Sequence, residues 1–221
     1  MSAECGARSA ESGRSTVLIC FAMEDEARAF RKLASGRTGV QILVTGIGRR
    51  NAERSLSRVL AQGLPHCVFT CGFAGGLDPA LKAGDVVCET DDAALRDKHF
   101  ASRAKPAKFF CADRIATTAA EKQRLRADTG ADAVEMESAA IQAVCRERGI
   151  PCATVRVISD SAHEDLPLDF NQLANADQSL NYGKLAWAIM KSPRKIFALR
   201  RLQKNTRLAA ENLATVLGIA V

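Results

Sequence analysis

Apolar residues fall along this chain in two alternating patterns. One is a set of short, nearly continuous runs rich in β-branched side chains: VLICFAM (Val17 to Met23), VQILVTGIG (Val40 to Gly48) and CVFTCGFAGGL (Cys67 to Leu77), then GDVVCET, KFFCADRIA, ADAVEME and CATVRVISD. Charge or glycine bounds each run, as expected of strands buried on both faces. The other pattern has helical spacing. Asn51 to Gln62 carries Leu56, Val59 and Leu60 on one side; Ser138 to Arg148 begins at a residue suited to an N-cap and is stopped by Gly149 and Pro151. Strands alternating with helices predict an α/β fold, a single domain with a mixed, mostly parallel central sheet flanked by helices.

The two ends of the chain read differently from its middle. Residues 1–16, MSAECGARSAESGRST, lack a hydrophobic signal core and form an expected disordered lead-in to a domain spanning 17–190. Residues 191–221 predict a C-terminal helical tail that is basic and amphipathic. From a start at Lys191-Ser192-Pro193, Ile196, Leu199, Leu202, Leu213 and Val216 recur on one side, while Arg194, Lys195, Arg200, Arg201, Lys204 and Arg207 come before any acid. Such a helix can lie peripherally on an anionic membrane, or pack on the domain or a second subunit with its basic face in water.

Bulk properties narrow the function classes. With 221 residues, 47% hydrophobic and 25% charged, the chain can bury a sizeable core, and no apolar run approaches a membrane span. Aromatics make up only 5%; with no stacking platform, the net charge of +6 is no argument for a nucleic-acid partner. Eight cysteines without CxxC spacing and three scattered histidines predict buried thiols in a cytoplasmic protein, with no metal and no disulfide framework.

Ligands of such sheets sit beyond the carboxyl ends of the strands. Four chemically rich groups occupy those ends: AMEDE with Glu24, Asp25 and Glu26; the glycine turn GFAGG at Gly72 to Gly76; VEMES with Glu135, Met136 and Glu137; and RVISD ending in Asp160. Together they describe a polar pocket able to grip hydroxyls and move protons. TGIGRRN has Gly46 and Gly48 but no third glycine, and no suitably spaced acid follows, which argues against a dinucleotide site.

The pieces FAMEDEA, TGIGRRNAE, CGFAGGLDPALKAGDVV, AVEMESAAI and VRVISD, in this order, resemble the purine nucleoside phosphorylase and methylthioadenosine nucleosidase superfamily across roughly Val17 to Asp160. The short middle and the tail look most like its hopanoid-associated members, which remove adenine from adenosylhopane. The resemblance implies cleavage of a purine N-glycosidic bond without a cofactor, in an assembly of like subunits. It assigns Glu137 to the ribose hydroxyls, Met136 to the sugar face, Asp160 to protonation of the departing base and Glu26 to activation of water. Phosphorylases use arginines near this last position, making Arg28 and Arg49 candidate ligands of a phosphate co-substrate. Phe73, Ala74 and Gly75 are expected at the purine or ribose, with Phe73 standing where relatives often carry serine or threonine.

From GDVV to VEMES the chain is shorter than the classical nucleosidases. There Asp113 is expected to receive the adenine amino group and Ile115 to pack on its face, and the trimmed wall leaves room for a bulky 5′ substituent. Structural alternatives stand beside these roles. Glu135 or Glu137 can pair with a core arginine such as Arg156, Asp160 can cap a turn, and Glu26 can favour a helix N-terminus. The functions left open are a nucleosidase acting on an adenosine with a large apolar 5′ group, a methylthioadenosine/S-adenosylhomocysteine nucleosidase, a phosphate-dependent phosphorylase, and a nucleoside-binding module without turnover.

Overall fold

The computed structural model describes residues 16–96, 104–173, 175, 183–184 and 195–220. The strands are β1 (Val17–Phe21), β2 (Val40–Val44), β3 (Cys67–Gly76), β4 (Val86–Glu89), β5 (Lys105–Pro106), β6 (Phe109–Cys111), β7 (Ala133–Glu135) and β8 (Cys152–Asp160). The helices are α1 (Glu24–Leu33), α2 (Arg49–Leu60), α3 (Ala93–Arg96), α4 (Ala119–Thr129), α5 (Ser138–Glu147), α6 (Phe170–Leu173) and α7 (Lys195–Ala220). The sheet runs β2-β1-β3-β8-β4-β5, and β7 joins the end of β3 and carries β6. The β4–β8 and β3–β7 pairings are antiparallel and the others parallel.

Strand alternation divides the core in two. Ile19 and Phe21 of β1 face Phe30 of α1 and Leu213 and Leu217 of α7, whereas Leu18 and Cys20 face Leu56 and Leu60 of α2 and Ile141 and Val144 of α5. The C-terminal half of α7 is thus core material: Ala209, Leu213 and Leu217 are buried as completely as the strands beneath them. The expected start of this helix at Lys191 to Pro193 lies outside the described residues, as does the expected lead-in before Thr16. No described helix is long and apolar enough to cross a membrane.

Two long strands, β3 and β8, lie side by side in the middle of the sheet and reach furthest toward its carboxyl edge. Their parallel register holds from Val68↔Cys152 to Ala74↔Ile158, then shifts so that Gly75 faces Asp160. Ser159 is the extra residue, its hydroxyl oxygen 3.2 Å from the Ala74 carbonyl oxygen. A bulge of this kind re-aims the side chain that follows it, here Asp160.

The predicted runs VLICFAM and VQILVTGIG stop being strand at Phe21 and Val44, where the chain turns to form the site. Ser138 is not the N-cap of α5: Glu137 holds that position and Ser138 is the first helical residue. Glu135 takes over the capping work. Its Oε2 accepts from the Glu137 and Ser138 backbone N–H groups at 2.9 and 2.8 Å, and the Ser138 hydroxyl donates to Oε1 at 2.6 Å.

Candidate active site

The carboxyl ends of β1, β3, β7 and β8 open into one cavity of about 1610 Å³. Glu26, Phe73, Ala74, Gly75, Met136, Glu137 and Asp160 all line it, with Asp113 and Ile115 on a further wall and Arg28 on the α1 side.

At one end stands a buried cluster around Arg156. This guanidinium, 1% exposed, donates through Nη2 to Glu135 at 2.6 Å, Glu137 at 3.3 Å and the Thr70 hydroxyl at 3.2 Å, and through Nη1 to the Cys71 carbonyl at 3.1 Å. Burial works against ionisation of Glu135, but Arg156 and the three donors from Ser138 and Glu137 outweigh it and hold its carboxyl below the usual range. Glu137 differs. Burial pushes it up to about 7, and the neighbouring Glu135 and Glu26 carboxylates push the same way, against Arg156 and the Gly48 N–H. That N–H donates to Glu137 Oε1 at 2.9 Å from the N-cap of α2, where Gly48 adopts a φ of 85°. Glu137 thus keeps acceptor capacity and faces the cavity, whereas both Glu135 oxygens are committed to the framework.

Glu26 sits in the first turn of α1 and is 3% exposed. Its Oε2 accepts from the Ala22 and Met23 N–H groups at 2.9 Å each, and its Oε1 from Phe73 N–H at 2.8 Å. Burial pushes its carboxyl up, opposed by Arg156 and these backbone donors. An ionised carboxylate accepts about four hydrogen bonds, so three backbone donors leave room for a water. Gly72 is required beside it. With φ of 145°, a Cβ there would stand 2.5 Å from Glu26 Oε1 and 2.7 Å from Arg156 Nη1.

Asp160 occupies the other end. The Ser159 hydroxyl donates to Oδ1 at 2.5 Å, and Oδ2 lies 2.5 Å from the Nζ of Lys122. Lys122, on α4, is wholly buried and also donates to the Ser161 and Glu164 carbonyls at 2.8 Å each.

A protein-family comparison matches residues 24–109 and 92–189 to the model described as "Phosphorylase superfamily". The chain belongs to the phosphorylase superfamily. Among individual members, a 5′-methylthioadenosine/S-adenosylhomocysteine nucleosidase of Anoxybacillus flavithermus is 26% identical over 208 residues, covering 71% of this chain and 90% of that protein. The fold matches the nucleosidase of the same name from Neisseria meningitidis, solved with methylthio-immucillin-A, at a TM-score of 0.67 and 22% identity over 93% of this chain and 98% of that one. It also matches futalosine hydrolase of Helicobacter pylori at 0.65 and 19%, covering 92% and 95%.

The two arginines expected near a phosphate are placed differently. Arg49 does not line the cavity. As the first residue of α2 it pairs at 3.4 Å with Asp113, itself on the cavity wall, and donates to the Cys111 carbonyl. Arg28 does line it, paired with Asp25 at 2.7 Å. Two contributors were not anticipated. Lys122 is one; Asn171 of α6 is the other, exchanging hydrogen bonds of 2.9 Å with both the N–H and the carbonyl of Ile115 and so fixing that wall. The described cysteines form no disulfide, and no group of three His, Cys, Asp or Glu suited to a metal occurs among the described residues.

Proposed function

We propose that this superfamily member hydrolyses the N-glycosidic bond of an adenosine bearing a bulky, apolar 5′ group of the adenosylhopane kind. The broader statement, that it is an enzyme cleaving purine N-glycosidic bonds, follows from its family and nucleosidase relatives. The observation that carries the mechanism is the convergence of Glu26, Glu137 and Asp160, from three separate strand ends, on one cavity.

In this reading Glu137 accepts hydrogen bonds from the ribose hydroxyls, with Met136 against the sugar. As the bond from the anomeric carbon to N9 breaks, the sugar gains positive charge and the base negative. The carboxylates around Arg156 favour the former electrostatically. Asp160 serves the latter by passing a proton to N7, so that adenine leaves neutral. Glu26 holds the water that adds to the anomeric carbon and accepts its proton. Phe73 and Ile115 offer apolar surface to the purine.

Support for a large 5′ group comes from the far side of the cavity, which extends between α1 and α7. Ala29, Ile196, Leu199 and Leu202 line it, with Lys32 and Arg200 also present. On the outer side of the same helix, Phe197 is 78% exposed and shares a helical face with Lys204 and with Arg201, which also pairs with Glu164 at 2.9 Å, a stripe suited to an anionic bilayer that would supply such a substrate. Sedimentation with phosphatidylglycerol vesicles should carry the protein down at low salt and not with phosphatidylcholine; equal behaviour with both lipids would remove the membrane from this reading.

Water is favoured over phosphate because Arg28 and Arg49 both have carboxylate partners while Glu26 keeps room for a water. The test is adenine release from a panel of 5′-substituted adenosines, with and without phosphate. Release should proceed without phosphate and favour long apolar substituents. Phosphate dependence with a ribose 1-phosphate product would identify a phosphorylase, and binding without release a non-catalytic module.

A further inference from the structure

The proposed mechanism needs a proton on Asp160, yet the nearest charged group is an ammonium. Lys122 is 0% exposed and lies on a helix whose sequence, AAEKQRLRADT, is polar almost throughout. Burying an ammonium without exact compensation costs several kcal/mol, so its partners are informative. Two donors go to the Ser161 and Glu164 carbonyls, which belong to the segment leaving β8. The remaining close contact is Asp160 Oδ2. That oxygen is itself buried and accepts no hydrogen bond of proper geometry among the described residues, whereas Oδ1 is held by Ser159. A Cβ at Gly75, which lines the cavity, would stand 3.4 Å from Oδ2. The same Cβ would stand 3.8 Å from Lys122 Cε, so Asp160 Oδ2 and the lysine together back the Gly75 wall of the cavity.

We propose that Lys122 is the positioning residue and proton partner of Asp160, and that the pair holds between them the proton that the departing base takes. The site accommodates either distribution. An ammonium has three N–H bonds, two for the carbonyls and one toward Asp160; a neutral amine keeps two for the same carbonyls and turns its lone pair to the acid. As the glycosidic electron pair moves onto the base, the one proton shared by Lys122 Nζ and Asp160 passes through the Asp160 carboxyl to N7, leaving amine and carboxylate. Water adds its oxygen to the anomeric carbon and loses a proton, and uptake of one proton from solvent restores the pair. The sum is nucleoside plus water giving adenine plus ribose product. This inference rests on the nucleosidase reading.

The test compares two leaving groups. 5′-Methylthioadenosine needs its base protonated; 4-nitrophenyl riboside departs as a stable anion and does not. In Lys122→Met, kcat on the nucleoside should fall by about 100-fold or more, with KM and the nitrophenyl reaction changed less than about threefold. Lys122→Arg keeps a buried cation but does not release a proton; it should lose at least about tenfold on the nucleoside and nothing on the nitrophenyl substrate, and it carries the test if the methionine variant does not fold. Equal losses on both substrates, or full nucleoside activity in Lys122→Arg, would overturn the proton role while leaving the nucleosidase assignment standing. A wild-type protein that releases base from no purine nucleoside would overturn both.

Discussion

The two ends of the cavity solve opposite electrostatic problems. At the end assigned to the sugar in the proposed function, Glu26, Glu135 and Glu137 crowd around the single guanidinium of Arg156, an excess of acid over base. At the end assigned to the base, Asp160 meets Lys122 one to one, the lysine wholly buried and the aspartate 7% exposed. A surplus of negative charge suits a ligand that becomes cationic, and a matched pair suits a ligand that needs a proton but no net charge. The raised carboxyl of Glu137 marks that surplus: burial, Glu135 and Glu26 oppose its ionisation against Arg156 and the Gly48 N–H, and a partner with hydroxyls or positive charge would favour it further.

The comparison is broken most severely by removing the acid at the base end. Asp160→Asn should lower kcat for adenine release by about 1,000-fold, measured per folded protein because the orphaned Lys122 also reduces stability. Next comes the framework acid at the sugar end. Glu135→Gln breaks a buried ion pair and turns one of two accepting oxygens into an NH2 donor facing other donors, so urea unfolding should show a loss of about 3 kcal/mol; an unchanged midpoint would contradict its structural role.

A smaller effect is expected for Glu137→Gln, with kcat/KM down about 100-fold but stability altered in the opposite sense. A carboxyl raised in the folded state to about 7 from an ordinary 4.5 makes the folded protein bind the proton more tightly than the unfolded one. That advantage is present at low pH and is lost as pH rises through this interval. Relative to wild type, the glutamine variant should therefore gain melting temperature between pH 5 and pH 8; a constant difference would mean that Glu137 is not under strain. The smallest change should come from the α7 wall. Leu199→Ala should reduce kcat/KM by about tenfold for long apolar 5′ groups and leave 5′-methylthioadenosine unaffected.

Much of this arrangement is legible in the chain because strand ends are legible. Glu26 and Asp160 stand just after or at the ends of β1 and β8, which the parallel part of the sheet brings together, whereas Glu137 reaches them through β7, paired antiparallel with the end of β3. Arg156 is readable too, a charge at the centre of CATVRVISD that can survive only beside acids. Lys122 is not. Among the charges of EKQRLR it looks like surface, and only the packing of α4 against the segment after β8 buries it. The bulge at Ser159 is equally silent, since Ser159 and Asp160 continue the strand pattern and the shift arises from pairing with β3. Arg49, a candidate phosphate ligand only through the resemblance to phosphorylases, engages the exposed Asp113 and the Cys111 carbonyl, partners that its sequence neighbours do not disclose.

The claim that the sugar end is built for a cation is tested most directly by binding. Isothermal titration should compare two adenosine analogues, one with a protonated nitrogen in the sugar ring and one with a neutral carbocycle. The account predicts that wild-type protein binds the cationic analogue at least about 100-fold more tightly, and that Glu137→Gln erases most of this preference. Equal affinities in the wild type, or a preference that survives loss of Glu137, would contradict it.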